Sequence, residues 1–98
     1  MSNDLQKKLQ TIKNHQNFLR ETYNVKKIGV FGSFVRGDFS KESDLDILIE
    51  FSKTPTFFEF LDLEEYLSKL LGRKVDLATR KALKPVIKKE ILKEVVYV

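Results

Sequence analysis

Residues 44 to 51 read Asp-Leu-Asp-Ile-Leu-Ile-Glu-Phe, a run in which charge and hydrocarbon all but alternate. Successive residues of a strand point to opposite sides of a sheet, so Leu45, Ile47, Ile49 and Phe51 share one face, and Asp44, Asp46, Leu48 and Glu50 share the other. The apolar face must be buried. The chain therefore needs a sheet with a core on one side and a surface on the other. Asp44 and Asp46 stand side by side on that surface, their α-carbons ~6 to 7 Å apart.

A later run, Lys74 to Ala78, has the same character: Val75 and Leu77 are apolar, and Asp76 lies between them. If the two strands are neighbours, Asp76 joins the pair. Three carboxylates on one patch repel one another, and a divalent cation removes the conflict. The chain has no cysteine and one histidine, so hard oxygen ligands point to magnesium, or manganese, rather than zinc. The plainer alternative is that Asp44 caps a strand entry, Asp46 is solvated and Asp76 pairs with a nearby lysine.

Upstream, Val25 to Phe31 reads as a strand ended by Gly32. Gly32 lets the backbone approach a ligand, Ser33 offers a hydroxyl, and Phe34, Val35 and Arg36 begin a short helix whose free N–H groups suit an anion. Arg36 can reach a triphosphate tail or pair with Asp38 or Glu42. Gly37 ends the turn. Gly-Ser, ten residues, Asp-Leu-Asp and then Val-Asp-Leu form a pattern of several independent parts.

The remaining segments supply helices. Leu5, Leu9, Ile12, Leu19 and Tyr23 predict an amphipathic helix over roughly 3 to 22, interrupted in its stripe by His15 and Gln16. A metal-ligand role is not expected of the solitary His15. Thr56 and Glu59 have capping-box spacing before an apolar set of Phe57, Phe60, Leu61, Leu67, Leu70 and Leu71, expected in the core, and Gly72 ends that helix. Pro85 to Glu94 reads as a last helix with Ile87 and Ile91 on its apolar side. The expected fold is α/β (α+β), a small mixed β-sheet flanked by helices, in one domain over residues 1–98.

Charge is uneven along the 98 residues. From Arg73 to Lys93 there are eight Lys or Arg against two Asp or Glu, a local +6 within an overall +4. This suits either a solvated helix face or a landing site for an acidic or phosphate-bearing partner. Stacking aromatics do not interleave with these lysines, so direct nucleic-acid binding is not expected. Neither a membrane span nor an apolar signal core is seen, which leads to the expectation of a cytoplasmic protein.

The arrangement resembles the minimal nucleotidyltransferase (MNT) domains of the DNA polymerase β-like nucleotidyltransferase superfamily. The resemblance runs from the first helix through "GVFGSFVRGDFSKESDLDILIEF" and "KVDLAT" to "LKPVIKKEILKEVVYV". It implies transfer of a nucleoside monophosphate to an acceptor hydroxyl with release of pyrophosphate. By position, the resemblance implies that Gly32 and Ser33 hold the triphosphate and that Asp44, Asp46 and Asp76 are the catalytic carboxylates and ligate two Mg2+ ions. The "GSFxRGD" turn is similar to that of antitoxins from HEPN/MNT toxin-antitoxin modules. This implies a hetero-oligomer with a helical HEPN ribonuclease, neutralised by AMP transferred from ATP to a hydroxyl, that of a tyrosine. The alternatives are an antitoxin that neutralises by binding alone, or nucleotidyl transfer to a small molecule or RNA end. The tail "VVYV" could extend a partner surface or pack on the domain itself.

Overall fold

The computed structural model describes residues 3–98. It contains a four-stranded sheet of order β3-β2-β1-β4, with β1 Val25–Phe31, β2 Leu45–Phe51, β3 Val75–Thr79 and β4 Val96–Tyr97. The helices are α1 Asn3–Asn14, α2 Gln16–Tyr23, α3 Ser33–Arg36, α4 Phe57–Leu71 and α5 Pro85–Glu94, and a 3-10 turn spans Arg80–Ala82. β1 is antiparallel to β2 and β4, whereas β2 and β3 are parallel. A parallel pair needs a crossover, and α4 supplies it. The sheet is therefore mixed and helix-flanked, as the sequence led us to expect.

One face of the sheet builds the core. Leu45, Ile47 and Ile49 of β2, Val75 and Leu77 of β3, and Ile28 and Val30 of β1 are buried with Leu5, Ile12, Leu19, Leu63, Leu67 and Leu71 from the long helices. Val25 is buried as well, although an odd spacing from Ile28 would send them to opposite faces in a regular strand. A register shift between Val25 and Lys27 restores both to the core.

The first helical segment is two helices rather than one. His15 lies between them, its Nδ1 2.8 Å from the Thr11 carbonyl oxygen. α4 begins as its cap residues require: the Glu59 N–H donates to Thr56 Oγ1 and the Thr56 N–H to Glu59 Oε1. Its buried stripe is Leu63, Leu67 and Leu71. Phe57 was expected inside, but it is 70% exposed and Phe58 is 79% exposed: both lie on the helix away from the Leu63, Leu67 and Leu71 stripe, whereas Phe60 of the same turn packs against the core. Leu61 and Ile87 are likewise exposed, and only Ile91 is buried on α5.

The tail packs on the domain itself. Val96 and Tyr97 pair with Val30 and Gly29, and the Val98 N–H donates to the Ile28 carbonyl. Gly29 makes room: a Cβ there would stand 2.8 Å from Val95 Cγ2 and 2.9 Å from the Val96 carbonyl oxygen. A backbone atom cannot yield without moving β4. Gly29→Ala is therefore expected to lower unfolding stability by about 1 to 3 kcal/mol in a denaturant titration. Unchanged stability would mean that β4 is not held against β1.

Candidate active site

The surface end of the sheet collects the residues singled out above. Asp76 is the direct ladder partner of Asp46, and Phe31, which precedes Gly32, lies opposite Asp46 on the other side. Neighbouring strands are ~4.8 Å apart, so the Asp46 and Asp76 carboxylates start from adjacent α-carbons on one face. Asp44 lies just before β2 rather than within it. Asp44 and Asp46 are half-buried, and Asp76 is exposed.

Among the described residues, none of the three side chains forms an ion pair or a hydrogen bond within the chain. They act on one another instead. Burial, then Asp76, then Asp44 push the Asp46 carboxyl up to about 6, and Glu94 adds to the rise while Arg36 opposes it. Such a donor set suits a hard cation. The chemistry of the donors fits magnesium, yet among the described residues no three carboxylate or histidine groups close into a ready-made metal cage.

Gly32 abuts this patch. Its φ is 77° and its ψ −149°, a conformation that suits glycine. A Cβ at this position would collide with the Asp46 carboxylate. The turn and the acidic strand therefore approach each other through a missing side chain. α3 follows, with Phe34 buried, and Gly37 caps it in the left-handed conformation. The Ser33 hydroxyl makes no hydrogen bond among the described residues. Arg36 contacts Asp38, as one sequence reading anticipated, with Nε 3.5 Å from Oδ2, but it does not pair with Glu42.

Two residues of this region carried no functional signal in the sequence. Arg73 Nη1 donates to the carbonyls of Ser40 and Ser43, each at 2.8 Å, and its guanidinium stands 4.8 Å from the ring centroid of Phe34. Phe34 in turn stacks on Phe39 at 4.1 Å between centroids. Arg73 thus clamps the loop that joins the Gly-Ser turn to Asp44. The second is Glu94, whose Oε1 accepts from the Gly32 N–H at 2.8 Å and lies 3.3 Å from Arg36 Nη1. Counting basic residues in α5 concealed the acid at its end.

A nucleotidyltransferase domain model matches residues 12–98. The chain belongs to the nucleotidyltransferase family. The protein adenylyltransferase MntA of Thermococcus cleftensis is 51% identical over 84 residues, which are 86% of this chain and 85% of that protein. A solved structure of a candidate minimal nucleotidyltransferase superposes with a TM-score of 0.72 at 30% identity, covering 90% of this chain and 93% of the other. A chain of the solved complex between tri-AMPylated Shewanella oneidensis HEPN toxin and MNT antitoxin shares the fold, with a TM-score of 0.65 at 19% identity over 92% of this chain and 70% of that one. This family member is accordingly an enzyme of nucleotidyl transfer with a mixed sheet. Among its described residues no helix is long and apolar enough to cross a membrane.

The electrostatics have a definite sign. With a folded-state value near 6 against 3.8 for the free side chain, Asp46 takes up a proton more readily folded than unfolded. Its charge costs stability above pH 6, and the cost is relieved as pH falls through 6 towards 4. In a chelator, Asp46→Asn should be more stable than the parent by about 1 kcal/mol at pH 7.5, after allowing for solvent screening, and by almost nothing at pH 4. Thermal melts across that range check it, and an equal gap at both pH values refutes it. Arg73→Ala should raise hydrogen exchange over residues 39–44 by about tenfold as the clamp is lost, and unchanged exchange there would show that the loop is held by other contacts.

Proposed function

We propose that this enzyme transfers AMP from ATP to a hydroxyl on a partner protein, a HEPN-type ribonuclease toxin with a tyrosine acceptor, and so neutralises it. The observation that supports this reading most strongly is the set of Asp44, Asp46 and Asp76, none of them in an ion pair among the described residues, beside a glycine turn that carries the unpartnered Ser33 hydroxyl. A pure binding protein gains nothing from such repulsion. The identity with MntA of Thermococcus cleftensis supports a protein acceptor. The tri-AMPylated toxin in the Shewanella complex supplies the analogy for the partner.

In this reading Asp44, Asp46 and Asp76 would hold two Mg2+ ions, or Mn2+ in their place. The metal supplies charge neutralisation at the phosphates and a lowered pKa for the acceptor hydroxyl. Gly32 and Ser33 present a backbone N–H and a hydroxyl to the triphosphate, and Arg36 adds charge. The acceptor oxygen attacks the α-phosphorus, the bond to the pyrophosphate oxygen breaks, and the hydroxyl proton leaves by way of Asp76, on the exposed side of the site. The chain acts as one minimal domain in the cytoplasm, in a hetero-oligomer with its acceptor.

α5 suits that partner. It carries Lys88, Lys89 and Lys93, with Lys84 at its N-cap, none in an ion pair among the described residues, and it exposes Val86 at 83% and Ile87 at 52%. The tail is not available, since β4 uses it.

Incubation with magnesium, α-phosphate-labelled ATP and the partner encoded beside this chain should leave label on the partner after denaturation. Asp44→Asn or Asp46→Asn should lower the transfer rate at least about 10²-fold while complex formation persists. Neutralisation by the parent without label would establish occlusion instead, and turnover without any protein partner would establish a small-molecule or RNA acceptor.

A further inference from the structure

Glu94 sits where an anion of the substrate would have to sit. Its Oε1 accepts the Gly32 N–H at 2.8 Å, and Arg36 Nη1 lies 3.3 Å from Oε1 and 3.4 Å from Oε2. A carboxylate here engages the same donors that a phosphate would use: a backbone N–H at the glycine turn and a guanidinium one helical turn on. A single N–H cannot serve both anions fully.

The placement follows from the fold. β4 pairs with β1 so that Val96 faces Val30 and Tyr97 faces Gly29. Continued in the same antiparallel register by two residues, that ladder sets Glu94 against Gly32. α5 ends at Glu94, and Val95 turns the chain into β4 with extended backbone. The Glu94 side chain is only 25% exposed, and among the described residues its contacts are Gly32 and Arg36. The same carboxylate adds to the repulsion felt by Asp46, so it lies within the field of the acidic patch.

We infer that Glu94 is an internal competitor for the phosphate-binding turn, displaced when a triphosphate binds, and that it sets how strongly the enzyme holds its nucleotide. The inference rests on the assignment of Gly32 and Arg36 to the triphosphate. One carboxylate making a single well-formed N–H bond is outcompeted by a polyphosphate, which brings more charge and more acceptor oxygens to the same donors. A ligand with a single phosphate has less with which to displace it. Glu94 is thereby a specificity-determining residue that favours polyphosphates over monophosphates, and it lies outside the trio of aspartates.

Calorimetric titration of the full chain with ATP and magnesium, and separately with inorganic tripolyphosphate and magnesium, tests this. Glu94→Gln removes the charge yet keeps the side-chain length, and it should tighten both ligands about three- to tenfold. Glu94→Asp keeps the charge but is one methylene shorter, and it should tighten them by a smaller factor. Without ligand, the Gly32 amide proton resonance of the parent should shift upfield in Glu94→Gln, which reads the contact independently of nucleotide. Equal or weaker binding by Glu94→Gln, with parental folding by circular dichroism and parental binding intact, overturns the inference alone; weaker binding would assign Glu94 to holding the metal or positioning Arg36. If neither the parent nor any variant binds ATP or tripolyphosphate, the triphosphate site itself is refuted, and this inference with it.

Discussion

The pairing of β2 with β3 places two like charges on adjacent α-carbons, Asp46 beside Asp76, and the rest of the molecule makes that tolerable. On the reverse side of the same two strands Leu45, Ile47, Ile49, Val75 and Leu77 are all buried, none more than 6% exposed. Each such side chain contributes on the order of 2 kcal/mol on burial, so the apolar face outweighs repulsion between half-solvated carboxylates. The core and the site are two faces of one alternation. A slip of one residue in register would exchange them and lose both.

This is also why so much of the site was legible. Period-two alternation assigns faces without knowledge of the partners, and Asp44, Asp46 and Asp76 were placed on one side by that argument alone. The special backbone at Gly32 followed from a glycine between a strand and a short helix, although the collision of a Cβ with Asp46 needs the strands in place to be seen. Glu94 was illegible because its role depends on the pairing with β1 of a two-residue strand far downstream in the chain, and two residues are too few for a periodic signal. Arg73 was counted as charge, whereas its work is done on backbone carbonyls, which every sequence has.

Phe57 shows the converse error. Hydrophobicity put it in the core, but the face that α4 buries is the Leu63, Leu67 and Leu71 stripe with Phe60 beside it, and Phe57 and Phe58 lie off that face. His15 is a smaller case: an interrupted stripe was visible, and the structure makes it a break between α1 and α2. In each instance the local signal was visible, and what it meant was decided by which face of the helix the assembled layers cover.

The outer margin of β3 has a last consequence. The Val75 and Leu77 N–H groups that point away from β2 are taken by Ser68 Oγ at 3.0 Å and Glu64 Oε2 at 2.9 Å, both from α4. With its donors already satisfied, that margin offers no template for strand addition. Strand addition by a companion's backbone is disfavoured on this side, which leaves side chains to build an assembly at this flank, with surface chemistry that mutation can tune one position at a time.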